Sequence, residues 1–142
     1  MSTDGSDVAR KCVKHGIELA KALNAKVTVI TVTEPPPPIY YGTSRLTHSK
    51  EDIDSIYAVF EEFAGKVLDE ARAMAEQIGI SAELLHAPNA HPATAIIETA
   101  KSRGCDLIVM ASHGRRGLRR LFLGSQTSEV LANGSVPVLV VE

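Results

Sequence analysis

Hydrophobic positions recur along the chain with two periods, one typical of helices and one typical of strands. Over Asp7–Leu23 they follow helical spacing, and Ser6 or Asp7 is placed to cap the first turn. The run at 26–33 is rich in β-branched residues and predicts a strand, which four consecutive prolines end. The segment from 34 to 49 is expected to be a long excursion between core elements.

The same alternation continues to the end of the chain. A broad apolar stripe with a charged opposite face predicts a long helix from about 51 to 78, stopped by Gly79. Later segments predict a strand at 80–87, a helix at 93–102, a strand at 106–111, a helix at 125–132 and a strand at 136–141. This order indicates an α/β fold: a doubly wound, Rossmann-like parallel sheet with helices on both faces. At 142 residues, a single domain covering 1–142 is expected.

Composition narrows the class of protein. Hydrophobic residues make up 44% of the chain and charged residues 23%, and every apolar run is too short to span a bilayer, so no membrane partner is expected. A net charge of −2 and the absence of tryptophan give no general basis for binding nucleic acid. The first six residues lack a signal-peptide pattern, and the two cysteines have no metal or redox spacing. A cytoplasmic chain with reduced thiols is therefore expected.

The strongest candidate chemistry follows the predicted strand at 106–111. A short segment at 111–114 that contains small residues and a glycine ends that strand. Nine residues then separate Gly114 from Gly124-Ser125, which open a predicted helix. Glycines let backbone N–H groups approach a ligand, and a helix start offers donors with partial positive charge. The spacing matches neither G-x-x-x-x-G-K-S/T nor G-x-G-x-x-G. The spacing alone supports a phosphate-binding loop (a phosphate cradle) and a plain structural turn equally. The position of the segment at the carboxyl end of a strand favours the phosphate cradle.

Five segments of the chain together form a specific pattern: Thr3-Asp4-Gly5-Ser6, 19–32, 106–114, Leu123-Gly124-Ser125 and 136–141. In these segments the chain resembles the single-domain bacterial universal stress proteins, and the resemblance covers nearly its whole length. The ATP-binding branch of this family has the pattern G-x2-G-x9-G-S/T, which Gly114, Gly124 and Ser125 match. Alanine at position 111 stands where the pattern has its first glycine.

This resemblance implies a cytosolic stress-response protein that binds ATP as a switch or sensor, with slow hydrolysis left open and Mg²⁺ bridging the phosphates. Asp4 would approach the ribose or phosphates, and backbone groups of Val32 would meet adenine. The implied nucleotide-binding residues are Asp4, Val32, Met110, Ala111, His113, Gly114, Arg115, Gly124, Ser125 and Gln126. The Ala111 methyl is expected to be tolerated, unless the site needs a positive φ or backbone contact there.

Two further expectations concern the sheet. In the family an apolar first strand precedes the segment at 3–6, whereas only Met1 and Ser2 precede it here. The first strand is therefore expected to be truncated, with the reading frame beginning upstream, or with another segment or a partner chain in the central position. The apolar last strand, beginning at Val136 and ending at Val141, would expose an edge, which together with the resemblance implies a homodimer.

Several charged and aromatic side chains are open to two interpretations. The arginines at 115, 116, 119 and 120 would suit a triphosphate or form a solvated loop face. Tyr40 and Tyr41 would cover a ligand or have no function.

No catalytic residue or metal ligand is assigned. His113 lacks a paired base or nucleophile at a definable spacing, and His86 and His91 are expected at the surface, without the neighbours of a metal site. Cys12 and Cys105 are expected to be buried, unreactive thiols.

Two other functions are kept as alternatives to ATP binding. In a nucleotide-free dimeric interaction module of the same fold, Ala111 and the short first strand would mark a disused pocket. A small α/β enzyme acting on a phosphorylated metabolite would need a nucleophile or base beside the cradle, and the sequence shows none.

Overall fold

The computed structural model describes residues 1–37, 39–41, 44–46, 49–114 and 123–142, and for 39–41 and 44–46 the backbone alone. The helices are α1 Asp7–Leu23, α2 Lys50–Gln77, α3 Pro92–Ser102 and α4 Ser125–Asn133. The strands are β1 Val27–Thr33, β2 Ile39–Tyr41, β3 Ser44–Leu46, β4 Ala82–Pro88, β5 Ile108–Ala111 and β6 Val138–Val141. The predicted alternation of helices and strands is confirmed, with each core element within a few residues of its expected position.

Two parallel strand pairs meet at the first residues of the chain. β1 pairs with β4, and β5 pairs with β6. On one side of residues 1–3, the Ile30 N–H donates to Met1 O at 2.9 Å and Thr3 N–H donates to Ile30 O at 3.0 Å. On the other side, Ser2 N–H donates to Val109 O at 3.1 Å. The order across the sheet is therefore β4, β1, residues 1–3, β5, β6.

The central position holds a single parallel bridge between Ser2 and Ile30 instead of a regular strand. The first strand is thus as short as predicted. The expectation that another segment or a partner chain occupies this position is wrong for the part filled by residues 1–3, because these residues bond to both flanking strands.

Helices cover both faces of the sheet, as predicted. On one face α1 and α2 pack over Val27 and Val29 of β1, and on the other α3 packs with Ile30, Ile108 and Met110. Val29 and Ile30 are adjacent and enter opposite clusters because side chains alternate across a strand. Both are buried, so β1 is apolar on both faces, as expected for an internal strand of a parallel sheet.

The segment between β1 and α2 differs from the predicted excursion, because β2 and β3 form a short antiparallel hairpin within it. α2 then begins with a capping box: Ser49 Oγ accepts from Asp52 N–H at 3.1 Å, and an Asp52 carboxylate oxygen accepts from Ser49 N–H at 3.2 Å. Gly79, with φ +76°, follows the end of α2 as predicted. None of the helices in the described ranges combines the length and apolar character needed to cross a membrane.

Candidate functional site

A cavity of about 600 Å³ opens where β1 and β5 end. The structure brings nine of the predicted nucleotide-binding residues to its wall: Asp4, Val32, Met110, Ala111, His113, Gly114, Gly124, Ser125 and Gln126. The tenth, Arg115, lies outside the described residues, as do the arginines at 116, 119 and 120. The cavity lies at the carboxyl ends of parallel strands, where ligands bind in open α/β sheets.

Asp4 and Gly114 face each other at this cavity. A Cβ placed on Gly114 would lie 2.5 Å from Asp4 Oδ2, a separation that real Cβ atoms do not show. The other carboxylate oxygen of Asp4 accepts from Ser6 N–H at 3.0 Å, which holds the side chain at the start of α1. A side chain at position 114 would therefore have to displace the Asp4 carboxylate from this position.

The start of α4 is tied to the end of β5 by two hydrogen bonds. Gly124 N–H donates to Ser112 O at 2.7 Å, and Thr127 Oγ1 donates to Ala111 O at 2.8 Å. Gly124 is the N-cap, so Ser125 is the first residue of the helix and does not cap it. No described side chain caps α4, so no capping group competes with a ligand for its first-turn N–H groups.

Alanine at 111 causes no backbone strain in this structure. The residue ends β5, and the non-glycine residues with positive φ in the described ranges are Asn24 and Asn89. Its methyl group is therefore compatible with the strand backbone, and the conformational objection to alanine at this position does not apply.

The backbone of Val32 faces the central position of the sheet, between β1 and β5, at the level beyond residues 1–3. Ile30 uses both its N–H and C=O toward residues 1–3, and in a parallel ladder the residue two positions on faces the same side. Beyond Thr3 the chain turns into the segment that leads to α1. Among the described residues, no hydrogen bond to the Val32 backbone is present on that side, so one donor and one acceptor border the cavity.

Sequence reasoning missed several residues that line the cavity, among them Thr3, Glu34, Ile96 and Thr127. The position of Glu34 directly after β1, at a carboxyl strand end, was a usable signal that the adjoining prolines obscured. Thr127 had no such signal, because its contact with Ala111 joins residues 16 positions apart.

The histidines that the structure describes are not grouped as a metal site. His86 Nε2 lies 2.9 Å from Thr33 Oγ1, and His91 Nδ1 lies 3.7 Å from Glu129 Oε1. His91 is exposed as expected, whereas His86, a residue of β4, is half-buried. His113 Nδ1 lies 2.9 Å from Ser112 Oγ. Within the described ranges, no group of three or more His, Cys, Asp or Glu side chains is placed to hold a metal ion.

The two cysteines differ in burial. Cys12 is fully buried on α1, and its burial raises the pKa of the thiol to about 11. Cys105 is half-buried, so the expectation of a buried thiol is confirmed for Cys12 and is wrong for Cys105.

The fold and the cavity define a parallel α/β protein with a ligand-sized site at the carboxyl ends of its strands. The model of the universal stress protein family matches residues 2–142, and the chain belongs to this family. It is 35% identical to universal stress protein MJ0531 of Methanocaldococcus jannaschii, covering 99% of this chain and 78% of that protein. It is 31% identical to universal stress protein YxiE of Bacillus subtilis, covering 99% and 95%.

Solved structures of universal stress proteins share the fold. One, crystallised in complex with cAMP, has 26% identity and a TM-score of 0.67, covering 100% of this chain and 93% of that chain. Another, from Archaeoglobus fulgidus in complex with dAMP, has 20% identity and a TM-score of 0.69, covering 99% and 94%. The second supports the fold alone.

Proposed function

We propose that this protein binds ATP in the cavity at the ends of β1 and β5 and acts in the cytoplasm as a nucleotide-dependent switch or sensor. The observation that carries the proposal is the convergence of Gly114, Gly124 and the uncapped start of α4 on one cavity. Close backbone approach and the partial positive charge of a helix start favour a phosphate group there.

The remaining wall of the cavity suits a nucleoside. Apolar surface for a base is provided by Ile30, Ile96 and the buried Met110. The backbone of Val32 offers one hydrogen-bond donor and one acceptor to the polar edge of that base. A volume of about 600 Å³ is in the range of small-molecule sites. The cAMP complex of a relative at 26% identity supports an adenine nucleotide as the ligand class.

Asp4 is the protein residue that would bind a magnesium ion together with the nucleotide. Its carboxylate lies beside Gly114, and a carboxylate next to phosphates is unfavourable unless a cation lies between them. Asp4 and the phosphate oxygens are the oxygen ligands that Mg²⁺ prefers. We therefore propose that ATP binds as its magnesium complex, with slow hydrolysis a secondary activity.

Calorimetric titration with ATP, with and without Mg²⁺, tests this function. We expect saturable binding that is tighter with Mg²⁺. Absence of binding at millimolar ATP with Mg²⁺ would reject the proposal in favour of the nucleotide-free interaction module. Release of inorganic phosphate from the same samples would show whether bound ATP is hydrolysed.

The open edge of β6 favours a homodimer, whether or not nucleotide binds. Pro137 O accepts from Ile108 N–H of β5, and Val141 O accepts from Ser112 N–H directly after β5. The backbone of Val138 and Val140 therefore faces the outer edge. No strand in the described ranges pairs with that edge, where Leu139 is 38% exposed. We propose that a second copy of the chain pairs there, through the segment from Val136 to Val141.

Substitution of one residue tests the dimer. Val140→Pro removes an outward N–H while leaving the carbonyls of Pro137 and Val141 available to β5. Light scattering should give the mass of two chains for the parent and of one chain for the variant, with circular dichroism verifying that the variant is folded. A parent protein that is monomeric at high concentration would contradict this proposal.

A further inference from the structure

Gln126, the second residue of α4, connects two helix starts beside the cavity. Its side-chain Oε1 accepts a hydrogen bond from Ala93 N–H at 2.9 Å. Ala93 lies in the first turn of α3, whose N-cap residue, His91, makes no side-chain cap bond. The Gln126 side chain therefore satisfies one of the N–H groups that a capping residue ordinarily satisfies.

The bond to Ala93 also fixes the orientation of the Gln126 amide. A backbone N–H can only donate, so the atom that accepts from it is the oxygen, and the –NH₂ group is the other end. Gln126 is half-buried and lines the cavity. Within the described part of the chain, its side chain makes the one bond to Ala93. Both N–H groups of this amide are therefore without a partner among the described residues, on a residue that lines the cavity.

We propose that Gln126 has two roles: Oε1 caps α3, and Nε2 donates a hydrogen bond to a phosphate oxygen of the bound nucleotide. This inference rests on the proposed function, because it assigns one contact within that site. Phosphate is the group assigned because Gln126 follows Gly124 and Ser125 in the first turn of α4, where an anion is favoured. The two hydrogen bonds of one amide would reinforce each other, so phosphate binding would also strengthen the cap of α3.

Two substitutions separate these roles. Gln126→Glu keeps an acceptor for Ala93 N–H and loses both donors, whereas Gln126→Met has a similar length and neither group. We expect the affinity for magnesium ATP to fall about threefold to tenfold in Gln126→Met, the effect of one hydrogen bond. It should fall further in Gln126→Glu, because the added charge repels phosphate. Without nucleotide, Gln126→Met alone should lower the melting temperature, by about 3–6 °C.

Matched controls are available at Gln77, an exposed residue at the end of α2. Gln77→Met and Gln77→Glu make the same chemical changes away from the cavity and should change ATP affinity less than twofold. Unchanged ATP affinity in Gln126→Met would overturn the donor role, and an unchanged melting temperature in that variant would overturn the capping role. If the parent binds ATP and both Gln126 variants bind equally well, this inference fails while the ATP site stands. A parent that does not bind ATP would overturn the proposed function itself.

Discussion

Gly124 is a residue at which added side-chain volume should disturb the backbone of the proposed site. A Cβ placed there would lie 3.1 Å from Ser112 O and 3.2 Å from His113 Cα, so a branched side chain must displace that loop. We expect Gly124→Val to reduce ATP affinity at least about tenfold, because the loop shift moves the start of α4 from the phosphates. Calorimetry gives the affinity, and circular dichroism verifies that the variant is folded. Parent-like affinity would place the phosphates elsewhere.

Cys12 should be the less reactive of the two thiols. Its pKa of about 11 and full burial leave almost no accessible thiolate at pH 8. In a Cys105→Ser background, we expect Ellman's reagent to label the native protein at least about a hundredfold more slowly than the urea-unfolded protein. Equal labelling rates would contradict the buried position of this thiol.

The same raised pKa predicts a pH dependence of stability. The folded state binds the thiol proton more tightly than the unfolded state, whose cysteine pKa is about 8.5. The contribution of Cys12 is therefore fully present below about pH 8.5 and is lost as the pH rises toward 11. Urea unfolding at several pH values should show a smaller loss of stability in this range for Cys12→Ala than for the parent.

At the scale of elements, alanine substitutions at two glycines, one within α2 and one just after it, should change the free energy of unfolding in opposite directions. Gly65 lies within the helix with no atom within 4 Å of an added Cβ, so Gly65→Ala should raise the free energy of unfolding by about 0.5–1 kcal/mol. Gly79 has φ +76°, so Gly79→Ala should lower it by about 1 kcal/mol. Urea denaturation measures both. Stabilisation by Gly79→Ala would show that this turn has a different conformation.

The core elements were predictable because their signals are local. The helical spacing of α1, the β-branched run of β1 and the glycine after α2 act within a few residues of one another. The β2–β3 hairpin was missed because its three-residue strands lie in a proline-flanked segment where no period is established. Short strands of this kind depend on their pairing partner rather than on their own sequence pattern.

The contacts that complete the site were less predictable, because they join residues far apart in the chain. Residues 1–3 have no apolar periodicity, yet they bond to Ile30 and Val109 on opposite sides. The bond from Ala93 to Gln126 likewise spans 33 residues. Motif spacing and strand-end position indicated the loop after β5 and the start of α4, and the resemblance implied the other residues around the cavity. The long-range hydrogen bonds follow only from the packed arrangement of helices on the sheet.

At the scale of the whole molecule, the proposed function depends on phosphate binding where α4 begins at the end of β5. An amide ¹⁵N–¹H NMR titration with magnesium ATP reports binding and its location in one measurement. We expect saturable shifts concentrated at Gly114, Gly124, Ser125 and Gln126, because these residues line the phosphate side of the cavity. No saturable shift at millimolar ATP, or shifts concentrated at the edge of β6, would contradict an ATP site at the start of α4.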